Sequence, residues 1–368
     1  MIIKGGSVYQ EDKCFVERDL YIENGIIVES REQVFDNHVI NAEGLLVLPG
    51  LIDIHSHGAA GHDFSDGNPE GIRQILAYQL SHGITSYCLT SMSVSKKELL
   101  KAFQCVKDWQ DESSLAHIAG INMEGPFLNA SKKGAHREDC ILPPDLELFR
   151  ECNSACGNII RLLTLAPEIK GAMELISELK NDIVISLGHS AADYETAKAA
   201  FHAGATHVTH LFNAMSPFGH RNPGLIGAAA EDQNCMVELI CDGIHVHESM
   251  VRAAFQLFID RIILISDSMR ATGMDDGTYD LGGQQVTVKE GKALLPNGTI
   301  AGSVTNLYDC MRKAVSFGVS LEEAIAAATM NPAKSIGIFE YTGSLTPGKR
   351  ADVILADRNL NLQQVISS

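Results

Sequence analysis

The rhythm of hydrophobic positions changes twice along this chain. Over residues 1–48, short runs of alternating apolar and polar residues (MIIKGGSVY, RDLYIENGIIVES, HVINAEGLLVLPG) are split by Gly-rich or Asn-Gly turns. That is the pattern of antiparallel hairpins with one buried face. The same style returns over residues 340–368, in GSLTPGKRADVILADRNLNLQQVISS. Neither segment is large enough to bury a core alone, so one small β-sandwich domain built from both chain ends is expected.

Between them, over residues 49–339, near-continuous apolar and β-branched runs recur: GLIDIHSH, ITSYCLTS, IAGINMEG, IIRLLTLAPE, DIVISLGHS, THVTHLFNAM, MVELICDG and RIILISDS. Most are followed by a segment of helical period, such as PEGIRQILAYQLSHG after the first or AADYETAKAAFHAG after the fifth. Strands buried on both faces and alternating with helices make a parallel sheet. Eight such units predict a closed (β/α)8 barrel of the TIM type. A doubly wound open sheet is the competing topology, but no G-x-G-x-x-G follows the first run to support its usual dinucleotide site. After the eighth run, YDLGGQQVTVKEGKALLPNGTIAGS reads as a β-hairpin excursion near 278–300. NLYDCMRKAVSFG and SLEEAIAAATMNPAKSIG then read as two helices.

Polar residues collect at the ends of the apolar runs. His55 and His57 close the first, Glu124 the third, His189 the fifth and Asp267 the eighth, and His210 lies on the sixth. Strand C-termini of a barrel converge on one mouth, so these six residues are expected to meet there. Residues i and i+2 of a strand point to one side, which lets His55 and His57 address one ion. Imidazoles with carboxylates form an N/O site suited to zinc, iron(II) or manganese, without the thiolates of a structural zinc site. Asp53 is expected to brace a ligand rather than be one. His38, His82, His117, His202 and His207 have no such placement and are read as structural, as is Ser190, which no nucleophile elbow accompanies.

Composition narrows the partners. Among 368 residues the formal charge is −17, which disfavours nucleic acid and anionic membrane surfaces. An anionic substrate would therefore need its own local cluster of positive groups. The N-terminal MIIKGGSVYQEDK lacks a signal-peptide core, and nine scattered cysteines without a C-x-x-C pair suggest reduced thiols and a cytoplasmic location. Cys88, Cys235 and Cys241 lie in apolar runs and are expected in the core.

The order H-x-H, Glu, His, His, Asp on runs one, three, five, six and eight resembles the amidohydrolase superfamily. Longer strings narrow the resemblance: MEGPFLNASKKGAH (123–136), LGHS (187–190), THLFNAMSPFGHRNPGLIGAA (209–229), CDGIHVH (241–247), SDSMRATGM (266–274) and GTIAGS (298–303). They are similar to those of the N-acetylglucosamine-6-phosphate deacetylase family. The resemblance implies hydrolysis of an acetamide on a phosphorylated amino sugar, in amino-sugar catabolism. It implies a main ion, zinc or iron, on Glu124, His189 and His210, with Asp267 as catalytic acid and base. His136 would contact the sugar or its acetamide. Asn213, Ala214 and the Arg221 side chain would lie near the phosphate, with His245 beside them, and Arg221 would act across the boundary of a homodimer. Because both His55 and His57 are present, a second ion bridged by Glu124 is expected. The carbamylated lysine of other superfamily members has no candidate, since LLTLAPE carries no Lys. Lys132 and Lys133 are read as surface or phosphate-guiding residues. The galactosamine epimer of the substrate, or another metal-dependent amidohydrolase activity, is the alternative; the absent lysine and the NAM…HRNPG strings count against the latter.

Overall fold

The structure is a computed structural model that describes residues 1–368. Eight parallel strands stand side by side in chain order: β1 (Leu51–Ser56), β2 (Ile84–Ser91), β3 (His117–Glu124), β4 (Ile160–Leu165), β5 (Val184–Leu187), β6 (His207–Val208), β7 (Met236–Ile240) and β8 (Ile262–Ile265). The ring closes where β8 runs out beside β1. There the Asp267 N–H donates to the His55 carbonyl at 2.9 Å, and the His57 N–H to the Ser268 carbonyl at 2.8 Å. A helix follows each strand: α1 (Pro69–Ser81), α2 (Lys96–Gln104), α3 (Leu146–Ala155), α4 (Ala172–Leu179), α5 (Tyr194–Ala203), α6 (Gly224–Glu231), α7 (Glu248–Leu257) and α8 (Leu307–Ser316). Local signals set their starts. Pro69 opens α1 behind an Asn68 cap, and Ser95 with Glu98 forms a reciprocal capping box on α2.

Alternation along the strands divides the apolar residues between two cores. Leu163, Leu165, Ile185, Leu187, Val237, Leu239, Ile262 and Leu264 join the helices in the main core. Their neighbours Leu162, Ile240, Ile263 and Ile265 instead pack with Ile52, Ile54 and Cys88 in a separate cluster that fills the barrel, together with Ala333 and Ile336. Each such Leu, Ile or Val side chain contributes about 1.5–3 kcal/mol by leaving water. With the interior packed, ligands are received at the mouth.

Residues from both chain ends form one hydrogen-bonded sheet of seven strands with its own core of eleven buried residues. Its joint is the antiparallel pairing of Leu46–Pro49 with Val353–Ala356. Only Gly50 separates Leu46–Pro49 from β1, and a Cβ there would run into the Thr85 side chain. A TIM-type barrel with a small β domain is thus the architecture that the hydrophobic rhythm predicts, although the terminal strands hydrogen-bond as one continuous sheet and not as the two separate sheets of a sandwich.

Two elements differ in detail. The excursion after β8 has three strands, Gly277–Leu281, Gln284–Lys289 and Lys292–Leu294, turning at Gly282–Gly283 with φ of 57° and 86°. SLEEAIAAATMNPAKSIG forms two helices, α9 (Leu321–Ala328) and α10 (Met330–Ser335), broken at Thr329 (φ −133°, ψ −76°). The break puts Pro332 in the first turn of α10, where its missing N–H costs no intrahelical bond. No helix is long and apolar enough to cross a membrane.

Candidate metal centre and active site

Glu124, at the end of β3, is the hub of the barrel mouth. Its Oε1 lies 3.1 Å from Nε2 of both His189 and His210 and 3.4 Å from Nε2 of His55. Its Oε2 lies 3.3 Å from Nε2 of His57 and 3.2 Å from Nε2 of His136. Asp267 completes the group, its Oδ1 standing 3.3 Å from His57 Nε2 and 3.7 Å from His55 Nε2. All six residues read from the strand ends therefore converge, and each is buried.

The backbone is bent to bring them there. Pairing between β1 and β2 slips between Asp53 and Ser56, the kind of irregularity that re-aims side chains beside active sites. The rings of His55 and His57 then stand 5.5 Å apart at 81°. His189, His210 and Asp267 take φ of 47°, 26° and 47°, a left-handed conformation that costs a non-glycine residue about 1–3 kcal/mol. Hydrogen bonds offset the strain: the Asp267 carbonyl accepts the Ser303 N–H at 2.7 Å, and the His210 N–H donates to Glu238 at 3.1 Å.

Hydrogen bonds at the far ring nitrogens decide what each imidazole offers. His55 Nδ1 is 2.8 Å from Glu238 Oε2, His57 Nδ1 is 3.2 Å from the Thr90 carbonyl, and His189 Nδ1 is 2.8 Å from the Lys132 carbonyl. Those acceptors fix a hydrogen on Nδ1, so that in the neutral ring each Nε2 lone pair faces Glu124. His136 is inverted. Its Nδ1 accepts the Ser93 backbone N–H at 3.0 Å, so the neutral ring carries its hydrogen on Nε2. Distance alone groups His136 with Glu124 and His189 as ion ligands; its tautomer makes it a hydrogen-bond donor.

Electrostatics fit a divalent cation among these groups. Burial alone would raise Glu124, but the imidazoles around it, His55 first, hold it well below the usual carboxylate range. Burial likewise opposes the ionisation of Asp267, yet the His57 hydrogen bond and the nearby His55 and His57 rings hold it at about 2. Glu124 and the other surrounding carboxylates drive those two rings toward their protonated form, and a bound cation would take the place of the ring protons. Burial brings His136 down to about 4 despite Glu124, which keeps it neutral at pH 7. His55 Nε2 is buried with no hydrogen-bond partner while facing two carboxylates. A lone pair so placed, with its ring fixed from behind, matches the donor set of a zinc or iron site.

A cavity of about 260 Å³ opens above the cluster, lined also by Asn213, Ala214 and His245, with Leu281 and Ile300 of the excursion. His245 is oriented by Asp242, 2.7 Å from its Nδ1. No Lys or Arg lines the cavity. Arg221 is exposed on the loop before α6, 2.8 Å from His220, and faces a different cleft beside Asp193 and Tyr194. Lys132 and Lys133 reach backbone carbonyls of Met215 and His136 instead. Asp53 accepts the Ser266 hydroxyl at 2.5 Å and the His55 N–H at 3.3 Å, touching no imidazole, and burial pushes its carboxyl up to about 7. Ser190 donates to Glu168 at 2.7 Å. Glu238 was not singled out from the sequence, although a carboxylate inside the run MVELI is the signal that marks it.

A barrel whose strand ends gather four imidazoles and two carboxylates around one point defines a metal-centred barrel hydrolase. The chain belongs to the amidohydrolase family: the model described as "Amidohydrolase family" matches residues 46–368. It is 37% identical over 366 residues to the N-acetylglucosamine-6-phosphate deacetylase of Bacillus subtilis (strain 168), covering 96% of this chain and 92% of that protein. It is 33% identical over 375 residues to the N-acetylgalactosamine-6-phosphate deacetylase of Escherichia coli O157:H7, covering 99% and 97%. Among solved structures, a mutant of the Mycobacterium smegmatis N-acetyl-D-glucosamine-6-phosphate deacetylase in complex with N-acetyl-D-glucosamine-6-phosphate superposes with a TM-score of 0.93 at 32% identity, over 100% of this chain and 97% of that one. The Thermotoga maritima N-acetylglucosamine-6-phosphate deacetylase gives 0.90 at 31% identity, over 100% and 98%.

Proposed function

We propose that this chain hydrolyses the acetamide of N-acetylglucosamine 6-phosphate to glucosamine 6-phosphate and acetate. The observation that carries the reading is one cavity holding an ion-competent cluster, a buried ionised Asp267 and a neutral His136 with its hydrogen on Nε2. Glu124, His189 and His210 would hold the main ion, zinc or iron. His55 and His57 would hold a second, with Glu124 bridging and Asp267 beside them. When bound, such an ion supplies Lewis acidity, bringing the pKa of water to about 7 and polarising a carbonyl.

The chain's own residues do the rest. Asp267 accepts a proton from the water that adds to the acetyl carbon. The His136 Nε2–H donates to the carbonyl oxygen as negative charge builds there, a role that needs the hydrogen where Ser93 puts it. Asp267 then delivers its proton to the departing nitrogen, so the C–N bond breaks to an amine and acetate. The phosphate meets Asn213, Ala214 and His245. Arg221, turned away from its own cavity, supplies its guanidinium to the neighbouring subunit of a homodimer, where its planar fork suits phosphate oxygens.

The galactosamine 6-phosphate epimer is the second reading, favoured by the E. coli relative at 33% identity. Acetate release from both N-acetyl hexosamine 6-phosphates and both unphosphorylated sugars, with metal-stripped and reconstituted protein, separates the two. The glucosamine phosphate should give the highest kcat/KM and should depend on restored zinc or iron. Faster turnover of the galactosamine phosphate would favour the second reading. No acetate from any of the four would overturn both.

A further inference from the structure

Among the buried polar side chains that this mechanism leaves unused, Glu238 is the one bonded to an imidazole of the metal cluster. It lies within β7 between Val237 and Leu239 and is fully buried. A buried carboxylate is costly unless something holds it, so its partners indicate its purpose. It has two, both on one oxygen: Oε2 accepts the His55 Nδ1–H at 2.8 Å and the His210 backbone N–H at 3.1 Å. Its Oε1 has no hydrogen-bond partner, and neither nitrogen of the buried His207 ring has one. The side chain is therefore tied only to two residues of the metal cluster.

We propose that Glu238 is the positioning residue that makes His55 a metal ligand and joins the two halves of the centre. The inference rests on the two-ion reading above. A neutral imidazole carries one ring hydrogen, and a carboxylate at Nδ1 fixes it there, turning the Nε2 lone pair toward Glu124 and Asp267. His57 and His189 are oriented by neutral carbonyls; among the three, only His55 is backed by a carboxylate, which also raises its basicity. The same oxygen anchors the backbone of His210, the residue held at φ 26°, so a ligand from each half hangs on one atom.

The test is a chelator-competition titration of zinc and cobalt(II) into metal-free wild type, Glu238→Ala and Glu238→Gln, read as ions per chain, affinities and the visible cobalt spectrum. Wild type should take two ions. Glu238→Ala should weaken the ion on His55 and His57 by about 10–100-fold and change the cobalt bands. It should weaken the ion on Glu124, His189 and His210 less, because His210 loses only a backbone anchor. Glu238→Gln, whose amide oxygen still accepts the His55 hydrogen, should recover most of the loss. If Glu238→Ala does not fold, Glu238→Leu fills the space without an acceptor and carries the same expectation. Two wild-type-like ions in the Ala or Leu variant, or a Gln variant no better than Ala, overturns the proposal and leaves the metal reading standing. One ion in the wild type overturns it as well, and none overturns the metal reading too.

Discussion

The backbone N–H of Ser93 donates to Nδ1 of His136 at 3.0 Å, so in the neutral form this ring turns a hydrogen toward Glu124 where His55, His57 and His189 turn a lone pair. In the proposed reaction that makes it a donor and not a ligand. His136 stands 3.2 Å from Glu124, as close as the residues assigned to the ion, yet its Nε2 lone pair is occupied by hydrogen. His136→Ala should therefore lower kcat by about 10²–10³-fold, the loss seen when one oxyanion donor is removed. Metal content per chain should equal that of the wild type. Loss of an ion along with activity would make His136 a ligand and reverse the assignment.

At the junction of the small sheet and the barrel, Gly50 is held against Thr85, whose hydroxyl is buried with no hydrogen-bond partner. Gly50→Ala should destabilise by about 1–3 kcal/mol through overpacking, read from urea unfolding. Thr85→Ala alone should cost less, because no hydrogen bond is lost. Combined, the two changes should recover much of the Gly50→Ala loss; strict additivity would show that the contact is not what limits residue 50.

The barrel was legible because strands buried on both faces read as unbroken apolar runs, and polar residues at their ends stood out against them. Legibility stopped where local geometry departs from its period. The slip in β1 pairing between Asp53 and Ser56 cancels any simple face argument, and Asp53 goes to Ser266 while His55 and His57 reach Glu124. Glu238 looks like a stray charge until the His55 ring is seen against it. The hydrogen position on His136 depends on a backbone amide forty-three residues away, which no side-chain pattern encodes. Arg221 belonged to a motif, but its direction away from the cavity is a property of the folded loop.

Thiol chemistry tests the packing independently. Of nine cysteines, seven are buried, Cys105 is partly covered and Cys14 is exposed. Burial also pushes thiols such as Cys152 and Cys241 up to about 12, away from the reactive thiolate. Under native conditions a disulfide-exchange reagent should modify one thiol, Cys14, well before the rest, and denaturant should release the others. That order should hold even though the Cys14 S–H donates to Asp12 and that carboxylate holds it above the usual thiol range. Several fast thiols in the folded protein would contradict the core described for the barrel.

Complementation between subunits tests where Arg221 acts. Arg221→Ala should raise KM for the phosphorylated sugar by about 10–100-fold, the worth of a charge-assisted hydrogen bond, with little change on the unphosphorylated one. Asp267→Asn should remove most of kcat, since a positioned acid and base contributes about 10²–10⁴-fold. Each variant alone is impaired at every site. In a mixed dimer, however, the Arg221→Ala subunit keeps its own Asp267 and receives Arg221 from the Asp267→Asn subunit, so one site is whole. Mixing the two by co-expression should restore a low KM with roughly half the wild-type kcat per mixed dimer. If Arg221 served its own subunit, that site would lack its arginine, the other would lack its base, and mixing would restore nothing.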